Sequence, residues 1–211
     1  METPVLYDYW RSTASYRVRI VLNLAGIDYT PVVVNLLDGE HRGDAHLARN
    51  PQGLVPALEI DGLVLTQSLA IIEYLVETRG VSLLPDDAAD RARVRALAHS
   101  IAMDIHPVCN LNVVAHVMEL TGGGDAVRLA WMQKFIGQGL AAFEKMLDHP
   151  STGVFCHGDT PGLADICLIP QLFNADRWGV DLSGFKRITA IRAACDQLPG
   201  FANAHPDKNN F

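Results

Sequence analysis

The chain has 211 residues, is 49% hydrophobic and carries a formal net charge of −7. That composition supports a packed core and excludes a disordered chain, and the length suits one large domain or two small ones. The Lys and Arg residues are scattered, with no basic run to follow a phosphate backbone, so a nucleic-acid-binding role is not expected.

In chain order, Val5-Leu6-Tyr7 predicts a short strand. Val18, Val21, Leu22 and Ala25 recur at helical spacing, and Gly26 closes that helix as a C′ glycine. Pro31-Val32-Val33-Val34 predicts a second strand, and a short helix follows over about Asp44 to Arg49. Ala57 to Ile60, Asp61-Gly62 and Leu63 to Thr66 read as a hairpin, because Asp-Gly supplies the positive φ of a primed two-residue turn. A helix from about Ser68 to Arg79 places Leu69, Ile72, Leu75 and Val76 on one face. The order β-α-β-α-β-β-α is thioredoxin-like.

Gly80 to Ala88, with Pro85-Asp86-Asp87, reads as a linker, and beyond it strand signals cease. Val94, Leu97, Ala98, Ile101, Ile105 and Val108 predict a long helix. Gly122-Gly123-Gly124 separates it from a second, and further helices are expected from about Leu163, from Gly184 and near the end. The expected division is a domain over 1–80, a linker over 81–88 and an all-helical domain over 89–211. The start, Met1-Glu2-Thr3-Pro4, lacks signal-peptide character, and no apolar run approaches the roughly 18 residues that span a bilayer. Cys109, Cys156, Cys167 and Cys195 show no framework spacing. They are expected to be reduced thiols in a cytoplasm.

Between the first strand and first helix lies Arg11-Ser12-Thr13-Ala14-Ser15-Tyr16-Arg17-Val18-Arg19. A redox thioredoxin-like domain would carry CxxC there. Ser12-Thr13-Ala14-Ser15 excludes disulfide exchange but keeps a helix N-terminus, whose N–H groups and dipole stabilise an anion. A serine hydroxyl donates one more hydrogen bond, and a bound thiol would lose its proton more readily. The alternative is simple capping, worth about 1 kcal/mol. Val55-Pro56 opens the hairpin; if that bond is cis, the backbone of Val55 can pair with an extended peptide. Ser68, after Gln67, offers a hydroxyl at a helix start, suited to a carboxylate or to N-capping. Pro107 should kink the long helix and aim His106 or Asn110 at a cleft, or His106 serves only backbone groups at the kink. Arg177 suits a carboxylate, or an ion pair with Asp176 or another carboxylate. Asp104 and His106 find no second ligand pair, so no metal is expected.

Arg-Ser-x-x-Ser-x-Arg-Val-Arg-Ile over Arg11 to Ile20 resembles the signature of zeta-class glutathione transferases. An α/β domain followed by a helical one is the architecture of soluble glutathione transferases. The resemblance makes Ser12 the contact of the glutathione thiolate, with Thr13 where a second serine is usual and Ala14 where the family carries cysteine. That loss removes chemistry through a protein–glutathione disulfide, notably reductive dehalogenation. It implies a cis Val55–Pro56 bond, Gln67 and Ser68 on the γ-glutamyl carboxylate, and His41 at the glycyl end; a solvent-facing loop histidine is the alternative for His41.

Asp104-Ile105-His106-Pro107-Val108-Cys109-Asn110 resembles a segment of bacterial maleylacetoacetate and maleylpyruvate isomerases, and Asn174-Ala175-Asp176-Arg177-Trp178 is similar to the family's Asn-Ala-Glu-Arg-Phe. By that resemblance His106 and Asn110 contact glutathione. Arg11, Arg177, His106 and Asn112 bind the second substrate, although some relatives have arginine at Asn112. Arg11, Ser12 and Thr13 are the catalytic candidates. Gly158 to Asp165 resembles a capping box with Gly162 where Ser or Thr is usual, at a cost of a few tenths of a kcal/mol.

The implied activity is glutathione-dependent cis–trans isomerisation of maleylacetoacetate to fumarylacetoacetate. Alternatives are conjugation of glutathione to small electrophiles such as α-haloacids, maleylpyruvate isomerisation, and non-catalytic glutathione binding. A cytoplasmic homodimer with no membrane partner is also implied.

Overall fold

The computed structural model describes residues 2–210. They form two compact units, one gathering residues up to Ser82 together with those from Gln197 on, the other Leu83–Asp196.

The first unit is built on a four-stranded sheet in the order β2-β1-β3-β4. The strands are β1 (Val5–Asp8), β2 (Thr30–Val33), β3 (Ala57–Ile60) and β4 (Leu63–Thr66). β2 runs parallel to β1, while β3 is antiparallel to both β1 and β4. The β3–β4 turn has Asp61 at φ 54° and Gly62 at φ 75°, the double positive φ of the expected primed turn. α1 (Thr13–Leu24) ends in a Schellman closure, with the Gly26 N–H on the Asn23 carbonyl and the Ile27 N–H on the Leu22 carbonyl. The short α2 (Asp44–Leu47) and the longer α3 (Ser68–Arg79) complete the expected alternation.

α10 (Pro199–Ala204), read from sequence as part of the helical domain, packs instead with the first unit against α1. The reason is polar as well as apolar. Arg19, fully buried, donates Nε to the Ala204 carbonyl at 3.1 Å, and Asn23 donates to the Gly200 carbonyl at 3.2 Å. The periodicity of a short terminal helix carries no information about which surface its ends satisfy.

The second unit is helical. α4 (Ala88–His99) starts on an Asp87 cap that accepts the Ala89 and Asp90 N–H groups. The helix then widens into a π-helical stretch, Ser100–Ile105, before the short α5 (His106–Val108). Pro107 has no N–H to give, and the His106 N–H reaches back to the Ile101 carbonyl five residues earlier. The expected kink is thus a π-bulge. The predicted single helix also breaks sooner than its triple glycine. Asn110 caps a separate α6 (Leu111–Thr121) by accepting the Asn112 N–H, and Gly122 ends that helix at φ 60°. α7 (Asp125–Met146), α8 (Leu163–Arg177) and α9 (Lys186–Asp196) follow. α8 is the core helix, buried continuously from Leu163 to Leu172. Its start has the expected return bond, Gly162 N–H to Asp165 Oδ2 at 2.8 Å, and Asp165 Oδ1 also accepts the Cys156 N–H at 2.9 Å. Among the described residues no helix is long and apolar enough to cross a membrane.

Candidate active site

Strand direction gathers the first unit's candidates. Asp8 is level with Val33, and Tyr7 with Ala57 on the antiparallel β3. Ala57 in turn is level with Thr66. The carboxyl end of β1, which leads to Arg11 and Ser12, therefore lies at the same end of the sheet as Val55–Pro56 and Gln67–Ser68. The end of β2, which leads toward His41, lies there too. Val55 belongs to an apolar cluster with Tyr7, Tyr9, Val34 and Ala57, and Trp10 packs against it.

Ser12 is the N-cap of α1, and its Oγ accepts the Ser15 N–H at 3.2 Å. Capping and sulfur contact are compatible: a hydroxyl has one proton to donate besides the lone pairs it offers. α1 has no acidic residue in its first turn, so nothing there competes for an incoming anion. Thr13 and Ala14 are buried at the first two helical positions. The Arg11 guanidinium lies 4.2 Å from the Trp10 ring centroid, a partly exposed cation beside the cap.

The Val55–Pro56 bond is cis. Among the described residues neither the N–H nor the C=O of Val55 has a backbone partner, the condition for accepting an added strand. Gln67, not Ser68, is the N-cap of α3; Ser68 is its first helical residue and is buried. The Ser68 Oγ accepts from Arg17 Nη1 at 3.3 Å, which ties the starts of α3 and α1 together. Gln67 holds φ 67° and ψ 114°, a backbone strain of about 1–3 kcal/mol of the kind that clusters at ligand sites. His41 is 8% exposed in a short 3-10 turn, which excludes the solvent-facing alternative. Burial, then the nearby charge of Arg42, lowers its pKa below the ordinary histidine value, so it is a neutral hydrogen-bonding group near pH 7.

In the second unit His106 is half-buried at the start of α5, on the bulge. Asn110 uses its side-chain oxygen on the Asn112 N–H at 3.1 Å, which leaves its amide N–H groups as donors. Asn112 is exposed in the first turn of α6. Arg177 ends α8, its guanidinium 5.1 Å from the Trp178 ring centroid, while Asp176 pairs with Arg192. Burial pushes the Cys109 thiol up to about 11 and raises that of Cys156 as well, which disfavours the thiolate at both.

Sequence reasoning missed the supports. Within Arg-Val-Arg, Arg19 is a buried structural cation, donating to both oxygens of Asp8 at 2.9 and 2.7 Å and to the Trp10 carbonyl. The signal was present in Asp8, a lone acid closing an apolar strand. Gln52, whose Oε1 accepts from Gln67 Nε2 at 2.6 Å, was equally unmarked.

Known proteins resemble the chain along nearly its whole length. Residues 3–77 match the glutathione S-transferase N-terminal domain family, and residues 129–203 its C-terminal domain. Maleylacetoacetate isomerase of Rhizobium meliloti (strain 1021) is 64% identical over 97% of this chain and 96% of its own. A holo structure of maleylpyruvate isomerase, a bacterial zeta-class glutathione S-transferase, superimposes with a TM-score of 0.94 at 44% identity, covering 97% of each chain. Maleylacetoacetate isomerase from Methylobacterium extorquens AM1, solved with malonate and glutathione, gives 0.94 at 41% identity, again covering 97% of each. The chain belongs to the zeta-class glutathione transferases, the family of the maleylacetoacetate isomerases.

Proposed function

We propose that the protein is a glutathione-dependent isomerase that converts maleylacetoacetate to fumarylacetoacetate. The observation that carries the reading is the single sheet end where a capped helix start, a cis-proline segment and a strained second helix start converge. They fit the thiol, the backbone and the γ-glutamyl carboxylate of glutathione respectively. His41, neutral and buried, suits the glycyl end.

The chemistry follows from that placement. Ser12 and the start of α1 lower the cost of the thiolate. The thiolate adds to the conjugated cis double bond. A C–S bond forms and the electron pair moves onto the carbonyl as an enolate. The former double bond, now single, rotates. Collapse of the enolate expels the thiolate and leaves the trans alkene, so glutathione is regenerated. Fixed cations stabilise the enolate and hold the carboxylates. Arg11 is the candidate in the first unit. The second unit offers Arg177, with His106, Asn110 and Asn112 as polar contacts.

A second reading, isomerisation of maleylpyruvate, is favoured by the equal structural similarity to the maleylpyruvate isomerase. Asn112, where some relatives have arginine, counts against it. Conjugation of α-haloacids needs only the thiolate and stays the transferase alternative, whereas reductive dehalogenation lacks its cysteine at Ala14. A cytoplasmic homodimer completes the proposal. The test offers maleylacetoacetate and maleylpyruvate separately, with glutathione, and identifies the products. Faster formation of the trans isomer from maleylacetoacetate supports the first reading. Preference for maleylpyruvate moves the assignment to the second, and turnover of neither overturns both.

A further inference from the structure

Leu54 immediately precedes Val55–Pro56, and its carbonyl oxygen takes two side-chain donors. His46 Nε2, at the end of α2, lies 2.9 Å away, and Asn50 Nδ2 lies 2.8 Å away. A carbonyl only accepts, so Nε2 carries the ring proton of His46. His46 is 4% exposed, and its Nδ1 is buried with no partner among the described residues. Two donors occupy both lone pairs of the Leu54 oxygen and fix the peptide plane that leads into Val55.

The same turn reaches the other candidate contacts. Asn50 Oδ1 accepts the Gln52 N–H at 3.1 Å, and the Gln52 side chain in turn accepts from Gln67. Gly53, at φ 62°, lies so close to His41 that a Cβ there would sit 3.1 Å from the His41 carbonyl oxygen. Val55, Gln67 and His41 are thus braced by one nine-residue segment, His46 to Leu54.

We propose that His46 is a positioning residue for glutathione: with Asn50 it fixes the Leu54 carbonyl, and through it sets the Val55 backbone in the orientation that pairs with the tripeptide. The inference rests on the glutathione reading above. It assigns His46 no contact with the ligand and no proton transfer.

The test uses the full chain as wild type, His46→Phe and His46→Gln. Phe keeps a ring without a donor, whereas Gln places an amide N–H near the position of Nε2. Calorimetry gives Kd for glutathione, and steady-state kinetics gives KM and kcat. For His46→Phe, Kd and KM for glutathione rise roughly tenfold, the ratio that corresponds to one lost hydrogen bond. kcat at saturating glutathione stays within about twofold. His46→Gln recovers most of the affinity. A merely structural role would instead lower the active fraction, reducing kcat at unchanged KM.

Should His46→Phe fail to fold, nitrogen NMR of the wild type decides. A His46 ring protonated on Nε2, together with a Val55 amide that shifts on glutathione addition, supports the proposal. A ring protonated on Nδ1 overturns it. Unchanged glutathione affinity in a folded His46→Phe overturns this inference and leaves the glutathione reading standing. Failure of the wild type to bind glutathione overturns both.

Discussion

Ser12→Ala removes a cap that the structure shows and a sulfur contact that the glutathione reading proposes. The first is the cap: Ser12 Oγ accepts the Ser15 N–H at 3.2 Å, and losing such a cap costs about 1 kcal/mol of stability. The second is the proposed hydrogen bond from the hydroxyl to a bound thiolate. Bonds to charged groups are worth about 1.5–3 kcal/mol. At about 1.36 kcal/mol per unit, that corresponds to a rise of roughly one to two units in the pKa of bound glutathione. The assay follows thiolate ultraviolet absorbance of the enzyme–glutathione complex against pH. Ser12→Gly serves as the control, because a glycine cap costs only a few tenths of a kcal/mol relative to serine. Ser12→Gly should therefore unfold in urea close to wild type yet show the same raised thiol pKa as Ser12→Ala. Equal thiol titration in wild type and both variants would refute the role assigned to Ser12.

Arg19→Met leaves the Asp8 carboxylate buried without its cation and should cost about 3–5 kcal/mol in urea unfolding, with part recovered by adding Asp8→Asn. Gly162→Ser offers a better cap but places a Cβ 3.0 Å from the Leu83 carbonyl oxygen, which itself accepts the Leu163 N–H. The variant should gain less than the few tenths of a kcal/mol by which serine betters glycine as a cap, or lose stability, in the same unfolding assay. His41 has a depressed folded-state pKa, so it resists protonation that the unfolded chain accepts. Its contribution is full above the unfolded value near 6.5 and declines as pH falls through the folded value. His41→Gln should flatten the loss of urea midpoint between about pH 7 and pH 5 relative to wild type, and identical pH slopes would contradict it.

What the sequence made legible, and what it did not, follows the range of the interactions. β-branched runs, helical spacing and the Asp61-Gly62 turn are local, and they located β1 to β4 and α1 to α3. The three anchors of the proposed glutathione site sit at element starts, and serines mark two of them and a proline the third. Gln67 escaped as a cap because its φ of 67° is imposed by the surroundings, not by any preference of glutamine. His41 was legible as a candidate but not as buried, since burial depends on contacts that a short loop segment does not encode. α10 was assigned to the wrong unit because its attachment runs through Arg19, 185 residues away in sequence from Ala204. The break at Asn110 was hidden by apolar residues continuing at helical spacing through Val114.

The central claim is that glutathione acts as a catalyst and is not consumed. The direct measurement supplies maleylacetoacetate in large excess over glutathione and follows conversion to the end. The account predicts complete conversion to the trans isomer with glutathione recovered as free thiol. Conversion that stops after one equivalent of glutathione, with the sulfur retained in the product, would contradict it and make the protein a conjugating transferase.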